Sequence, residues 1–114
     1  MFKKKHSFSE RQQSSSHLLR KYPDRIPVIV EKNSNKNKLH TLPKNKFLVP
    51  KHLTIGQFVY VIKQKLELQP EEAIFLFVNN TLPKVTDRMI DIYATYKDND
   101  GYVYITYFNE NTFG

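Results

Sequence analysis

Apolar residues recur along this chain with two different periods. From Ile26 the period is two. Ile26, Val28 and Val30 alternate with Pro27, Ile29 and Glu31, which predicts a strand. Phe47-Leu48-Val49 predicts a second, short strand closed by Pro50. After Thr54 the period changes. Ile55, Phe58, Val59, Ile62 and Leu66 recur at three- and four-residue steps, and Thr54-Ile55-Gly56-Gln57 has capping-box spacing, so an amphipathic helix is predicted to end before Pro70. Ile74 to Val78 is an apolar run of strand length, predicted to be buried on both faces and central in a sheet. Asn79-Asn80 predicts a turn. Thr86 or Asp87 is expected to cap a helix carrying Met89, Ile92, Tyr93 and Tyr96 on one side. Asp98-Asn99-Asp100-Gly101 is a turn signal, and Tyr102 to Phe108 predicts a last strand with Val103, Ile105 and Tyr107 facing one way.

Residues 1–23 read differently, being rich in Lys, Ser and Gln. Ser9-Glu10-Arg11-Gln12 has capping-box spacing, with Leu18 and Tyr22 one turn apart. The Ser14-Ser15-Ser16 run is poor helix material, so a short, mobile helix ending at Pro23 is expected. This segment is expected to be dispensable for the core but not for function. Residues 24–114 form the main domain. Residues 33–45, rich in Asn and Lys, read as a loop, and the polar tail 109–114 is expected to be loose. The order strand, strand, helix, strand, helix, strand is that of an α+β, β-grasp domain. There are no internal repeats.

Composition narrows the function. A chain of 114 residues with 39% hydrophobic content suits one compact domain. It has no cysteine, so disulfides, thiolate zinc sites and a catalytic thiol of its own are excluded. The histidines His6, His17, His40 and His52 show no metal-ligand spacing and are read as surface residues, so no metal or cofactor is expected. No phosphate-binding glycine loop or nucleophile elbow occurs, and an enzyme is not expected. No apolar run spans a bilayer, and no apolar stretch follows the basic start, so no secretory signal is expected. The net charge of +7 is uneven. Residues 1–52 carry 13 Lys/Arg against 3 Asp/Glu, and residues 53–114 carry 5 against 8. A basic half attracts acidic peptides, anionic lipid heads or nucleic acid, or simply keeps the surface solvated. Phe2, Phe8, Tyr22 and Phe47 lie in that half but beside element boundaries, where core packing is expected. No RNA-recognition aromatic motif or Arg-rich helix is present, so nucleic-acid binding is not expected.

Five blocks then carry a specific resemblance. They are Lys21-Tyr22-Pro23-Asp24-Arg25-Ile26-Pro27-Val28-Ile29-Val30-Glu31-Lys32, Lys46-Phe47-Leu48-Val49-Pro50, Leu53-Thr54-Ile55-Gly56-Gln57-Phe58, Phe77-Val78-Asn79-Asn80-Thr81-Leu82-Pro83, and an ending in Tyr104-Ile105-Thr106-Tyr107 and Glu110-Asn111-Thr112-Phe113-Gly114. In this order, from Phe8 to Gly114, the chain resembles the autophagy-related protein eight family, the GABARAP and microtubule-associated light-chain-three type. The resemblance implies two short N-terminal helices added to a ubiquitin-like β-grasp core. It also implies conjugation. A processing and delipidating cysteine protease exposes Gly114, and activating and conjugating enzymes pass it through thioesters on their own cysteines. The glycine ends as an amide on phosphatidylethanolamine. A cytoplasmic protein would thereby reach autophagosome membranes through a covalent lipid. A terminal glycine suits a narrow cleft, having no side chain. Whether Gly114 is natively terminal is left open by the sequence.

The resemblance further implies docking of receptors that carry short aromatic-x-x-aliphatic motifs, added as a strand at Lys46–Pro50. Leu18, Pro27, Lys46, Leu48 and Tyr102 would form the pocket for the aromatic residue. Phe47, Val49, Pro50, Leu53, Phe58 and Val61 would form the pocket for the aliphatic one. Arg25, Lys44, Lys46 and Lys65 would attract flanking acidic residues. From spacing alone, Leu53, Phe58 and Val61 fit a plain core equally well. The chain departs from its relatives at Ser14, which replaces an acidic residue, at Ser7, which replaces Pro, at Gly101, and in a 33–42 loop one residue longer than that of GABARAP. An unconjugated trafficking or cytoskeletal scaffold using the same groove is the competing reading.

Overall fold

The computed structural model describes residues 1–33 and 41–109, with Asn109 as backbone only. The 34–40 stretch of the expected loop and the tail from Glu110 to Gly114 lie outside the described residues. The elements are α1 (Phe2–Lys5), α2 (Phe8–Lys21), β1 (Arg25–Lys32), β2 (Lys46–Pro50), α3 (Ile55–Lys65), β3 (Ile74–Phe77), α4 (Met89–Tyr96) and β4 (Val103–Asn109). The strands form one sheet in the order β2-β1-β4-β3. β1 and β4 run parallel at its centre, and antiparallel partners flank them. This is the expected α+β, β-grasp arrangement.

β3 is therefore an edge strand, not the central one expected from its apolar run. It alternates between buried and half-buried positions, with Ile74 and Leu76 buried. Four apolar residues in a row were ambiguous between a strand covered on both faces and an edge strand whose outer positions are only half covered. The strand covered on both faces is β1, where every residue from Ile26 to Val30 is buried. Val28 and Val30 point into the main core with Phe58, Ile62, Met89, Val103, Ile105 and Tyr107. Ile29 points the other way, into a second cluster with Phe2 and Tyr102, against which Leu18 and Tyr104 pack. Pro27 costs no ladder bond there, since pairing with β4 starts only at Val28 opposite Val103.

Helix ends follow local chemistry. Thr54 caps α3 as expected, its hydroxyl accepting from Gln57 N–H while Gln57 Oε1 accepts from Thr54 N–H. α2 is capped by Ser7 rather than Ser9, in a reciprocal box with Glu10. The helix is fourteen residues long, not short. The buried Ser15 is accommodated because its one hydroxyl proton lies between the backbone carbonyls of Gln12 and Asp100, shared by the two. At α4 neither Thr86 nor Asp87 is the cap. The N-cap is Arg88, without a side-chain cap bond, and Asp87 instead accepts from Lys84 N–H in the preceding turn. Asn79 and Asn80 both have positive φ, 50° and 60°, in the tight turn predicted for them.

No residue of the main core comes from positions 1–23, while the second cluster takes Phe2 and Leu18 from there. Deleting residues 1–23 is expected to leave one cooperative unfolding transition, lowered by about 2–4 kcal/mol as Ile29 and Tyr102 become exposed. Urea denaturation followed by circular dichroism checks this. A non-cooperative transition would show that the helices belong to the same folding unit.

Candidate docking edge and the Asp100 clamp

Among the described residues β2 is a free edge, on the far side of β1. Val30 N–H donates to Asn45 O at 2.8 Å and Lys51 N–H donates to Asp24 O at 3.2 Å. In an antiparallel ladder these bonds fix the alternation, so Val28·Phe47 and Ile26·Val49 exchange hydrogen bonds. Lys46 and Leu48 then turn their N–H and C=O groups away from the sheet. The Arg25 guanidinium, from the start of β1, reaches the outward Leu48 carbonyl at 3.4 Å.

Side chains of β2 divide between the two faces of the sheet. Leu48 stands opposite Pro27 in register and Lys46 opposite Ile29. On this face Leu18 of α2 packs on the Phe2–Ile29–Tyr102 cluster. Lys46 Nζ lies 5.7 Å from the Phe2 ring centre and 5.9 Å from that of Tyr102. Tyr102 is fully buried, so it presents no surface at this edge, and its hydroxyl shares a hydrogen bond with Ser14. Lys46 Nζ also reaches Ser14 Oγ at 3.3 Å. Ser14 thus ties Lys46 and Tyr102 together where relatives were expected to carry an acidic group.

On the opposite face Phe47 packs edge-to-face on Phe58, with ring centres 5.7 Å apart and planes at 84°. Val49 and Phe58 are buried in the main core, while Leu53 and Val61 are half-buried against it. Pro50 is exposed. Lys44 is exposed just before β2, and Lys65 lies in the last turn of α3, where a cation complements the helix dipole. Gly114 lies outside the described residues. Of the aromatics in the basic half, Phe2 is buried as expected, but Phe8 and Tyr22 are exposed. Among the described residues no group of three or more His, Cys, Asp or Glu side chains gathers to hold a metal.

Sequence reasoning read Asp100 only as a turn residue. It is 0% exposed and is the hub that fixes α2 on the sheet. Its carboxylate accepts from Arg11 Nε at 3.0 Å, from Tyr102 N–H at 2.9 Å and from the Tyr104 hydroxyl. Burial, then the Asp100 bond, hold the Tyr104 phenol well above the usual tyrosine range. Gly101, at φ +92°, passes so close to Ser15 that a Cβ would collide with its hydroxyl. A signal was present in the pairing of a basic residue on a helix face with an acidic turn 89 residues away, but only the fold brings them together.

The arrangement has counterparts. A family model described as "Autophagy protein Atg8 ubiquitin like" matches residues 10–114. This chain belongs to the Atg8 family. Autophagy-related protein 8 of Mycosarcoma maydis is 50% identical over 113 residues, covering 99% of this chain and 95% of that relative. Autophagy-related protein 8A of Oryza sativa subsp. japonica is 51% identical over 113 residues, covering 99% and 94%. Among solved structures, Trypanosoma brucei ATG8 superposes with a TM-score of 0.91 at 41% identity, covering 99% of this chain and 97% of that one. Plasmodium falciparum Atg8, in complex with a Plasmodium falciparum Atg3 peptide, superposes with a TM-score of 0.85 at 38% identity, covering 95% and 94%. The ubiquitin-like fold and the place of this Atg8 protein among autophagy modifiers follow. Among the described residues no helix is long and apolar enough to cross a membrane.

Next to the clamp, Lys3 Nζ donates to Asp98 Oδ1 at 2.7 Å. Burial pushes the Asp98 pKa up. The Lys3 hydrogen bond, the Asp100 N–H and the charges of Lys3 and Arg11 outweigh it, so the group titrates below its ordinary value. A folded-state pKa below the unfolded one stabilises the protein above the unfolded value and stops doing so as pH falls through the folded one. The Lys3–Asp98 contact is therefore expected to loosen only below the ordinary aspartate pKa of about 3.9. Lys3→Met should raise the Asp98 titration midpoint measured by NMR. An unmoved midpoint would show that Lys3 is not the source.

Proposed function

We propose that this Atg8 protein is conjugated through Gly114 to phosphatidylethanolamine on autophagosomal membranes, and that it docks short aromatic-x-x-aliphatic motifs of receptors and autophagy machinery along β2. The observation that carries the docking half is the free edge of β2. Lys46 and Leu48 present outward backbone groups in the spacing that an added strand requires, and their side chains stand beside Pro27 and Leu18 on one face while Phe47 stands beside Phe58 on the other. The Atg3 peptide bound by the Plasmodium falciparum relative supports a conjugating enzyme as one partner. An activating enzyme and a processing or delipidating cysteine protease complete the route, since this chain has no thiol to carry its own thioester.

The two docking pockets carry different demands. Leu18, Lys46 and Leu48 receive the aromatic residue, with the buried Pro27 and Tyr102 supporting them from beneath. Phe47, Pro50, Leu53 and Val61 receive the aliphatic one, with Val49 and Phe58 supporting it from the core. Arg25, Lys44 and Lys65 attract acidic flanks. Before an incoming strand can use the Leu48 carbonyl, the Arg25 guanidinium has to release it and becomes available to an acidic side chain.

Gly114→Ala is expected to block conjugation and to change stability by less than about 0.5 kcal/mol. Mass spectrometry of protein recovered from cells reads this directly. A lipid adduct on the variant would refute the assignment, and adduct-free wild type that still binds motifs would favour the unconjugated scaffold.

Phe47→Ala combined with Leu48→Ala is expected to weaken an acidic aromatic-x-x-aliphatic peptide at least tenfold in calorimetry, since two anchors of about 1–2 kcal/mol each are removed. Phe47 also packs on Phe58, so part of the loss could come from the core. Leu48→Glu, on the opposite face, separates the effects by weakening the peptide without lowering the melting temperature. Unchanged affinity in the folded Leu48→Glu protein would place docking elsewhere.

A further inference from the structure

β1 outruns β2 at its C-terminal end, where Val30 N–H makes its last bond to Asn45. Beyond this point a cleft of about 920 Å³ opens between the end of β1, the N-terminal helix and the segment from Thr41 to Lys46. Lys5, His6, Lys32, Lys44 and Lys46 line it. Among the described residues one carboxylate, Glu31, shares the lining, and it is already engaged by the Phe2 N–H at 2.7 Å. Lys46 is engaged too, by Ser14 and the rings of Phe2 and Tyr102. Lys32 is not. Its Nζ is shielded from solvent and, among the described residues, has no hydrogen-bond partner. A shielded ammonium without an acceptor is unfavourable unless something anionic completes it.

The cleft sits where the C-terminal segment leaves the sheet. Lys32 stands opposite Tyr107, a cleft-lining residue, and Asn33 N–H donates to Tyr107 O at 2.9 Å. β4 ends at Asn109, five residues before Gly114. Five extended residues reach at most about 18 Å. A lipid joined to Gly114 therefore holds this end of the protein within that distance of the bilayer surface.

We propose that the cleft binds the phosphate monoester of an anionic lipid headgroup in the membrane that carries the tail, with Lys32 as its central ligand and Lys5 and Lys44 as flanking cations. The proposal rests on conjugation through Gly114 for its orientation. A phosphate monoester offers three oxygens and close to two negative charges, enough for several ammonium groups at once. A zwitterionic headgroup offers no such excess.

Flotation of the full, unconjugated chain with phosphatidylcholine vesicles containing 10 mol% phosphatidylinositol 4-phosphate tests this, beside vesicles of equal surface charge made with phosphatidylserine. Expected is at least fivefold stronger binding to the monoester vesicles. Lys32→Met should remove that preference, while Lys84→Met, which removes one charge outside the cleft, should change binding less than twofold. Because an unpartnered ammonium is removed, Lys32→Met should melt no lower than the wild type. Equal binding to the two charged vesicles, or equal losses in both variants, would reduce the effect to diffuse basic charge and overturn the proposal. So would inorganic phosphate or a phosphoserine peptide shifting the Lys32 NMR signal with no vesicle binding, or a fall in melting temperature that Lys32→Arg restores. The assay uses chain without lipid, so its failure leaves the conjugation reading to the Gly114 adduct measurement, and a missing adduct leaves the vesicle result standing.

Discussion

The Asp100 carboxylate has no contact with solvent, so every one of its demands has to be met inside the protein. Arg11 supplies the counter-charge from α2, Tyr104 a hydroxyl from β4, and the turn its own Tyr102 amide. Removing either charge would strand the other in a largely dry site, so the pair acts as a positional lock even if its net contribution to stability is small. The lock fixes the height of α2 over the sheet. That height puts Ser14 within reach of Tyr102 and Lys46, and Leu18 on the Phe2–Ile29–Tyr102 cluster. One face of the β2 edge thus takes its shape from a turn between α4 and β4 on the other side of the second cluster. The absence of a Cβ at Gly101 is part of the same arrangement, since it lets the helix approach to backbone distance of that turn.

The β-grasp core and the helices laid on it answer to different forces. The core is an apolar layer closed by α3 and α4, built from side chains between Ile26 and Tyr107. The N-terminal helices add a much smaller apolar cluster and a larger share of polar contacts, among them the Phe2 amide on Glu31, Lys3 on Asp98 and Arg11 on Asp100. Of these, the Lys3–Asp98 contact is partly exposed, contributes little and responds to pH and salt, whereas the Arg11–Asp100 pair is shielded. The β2 edge borders both regimes, with Phe47 anchored in the stable layer and Leu48 facing the adjustable one.

Periodicity carried most of the fold. The α3 helix, the turn at Asn79-Asn80 and the alternation of Val103, Ile105 and Tyr107 depend on neighbours in sequence, and the residues themselves reveal them. The placement of β3 was not legible, because a short apolar run says that a strand is covered but not by how many neighbours. Ile29 was read as the outward side of an alternating strand, since nothing local announces that Phe2 and Tyr102 cover it. Ser7 and Ser9 both stand at plausible cap positions, and only the reciprocal bond from Glu10 separates them. At the candidate site, family motifs brought Leu48, Pro27, Phe47 and Leu53 to notice. Asp100 escaped, since a buried acid in a turn looks the same in sequence as an exposed one. Lys32 escaped as one cation in a basic half.

The geometry of β2 also bears on what happens when many copies crowd onto one surface. An open strand edge invites its own kind, and identical edges held at high local concentration are where ordered aggregates begin. This edge is five residues long, begins with an exposed lysine, ends in a proline with no N–H to offer, and has one outward carbonyl occupied by Arg25. Two such edges paired antiparallel would set each Lys46 against a Pro50 that has no N–H to donate. A short peptide with acidic flanks meets no such obstacle. The same five residues proposed to take a guest strand are therefore poorly suited to pairing with a sister molecule.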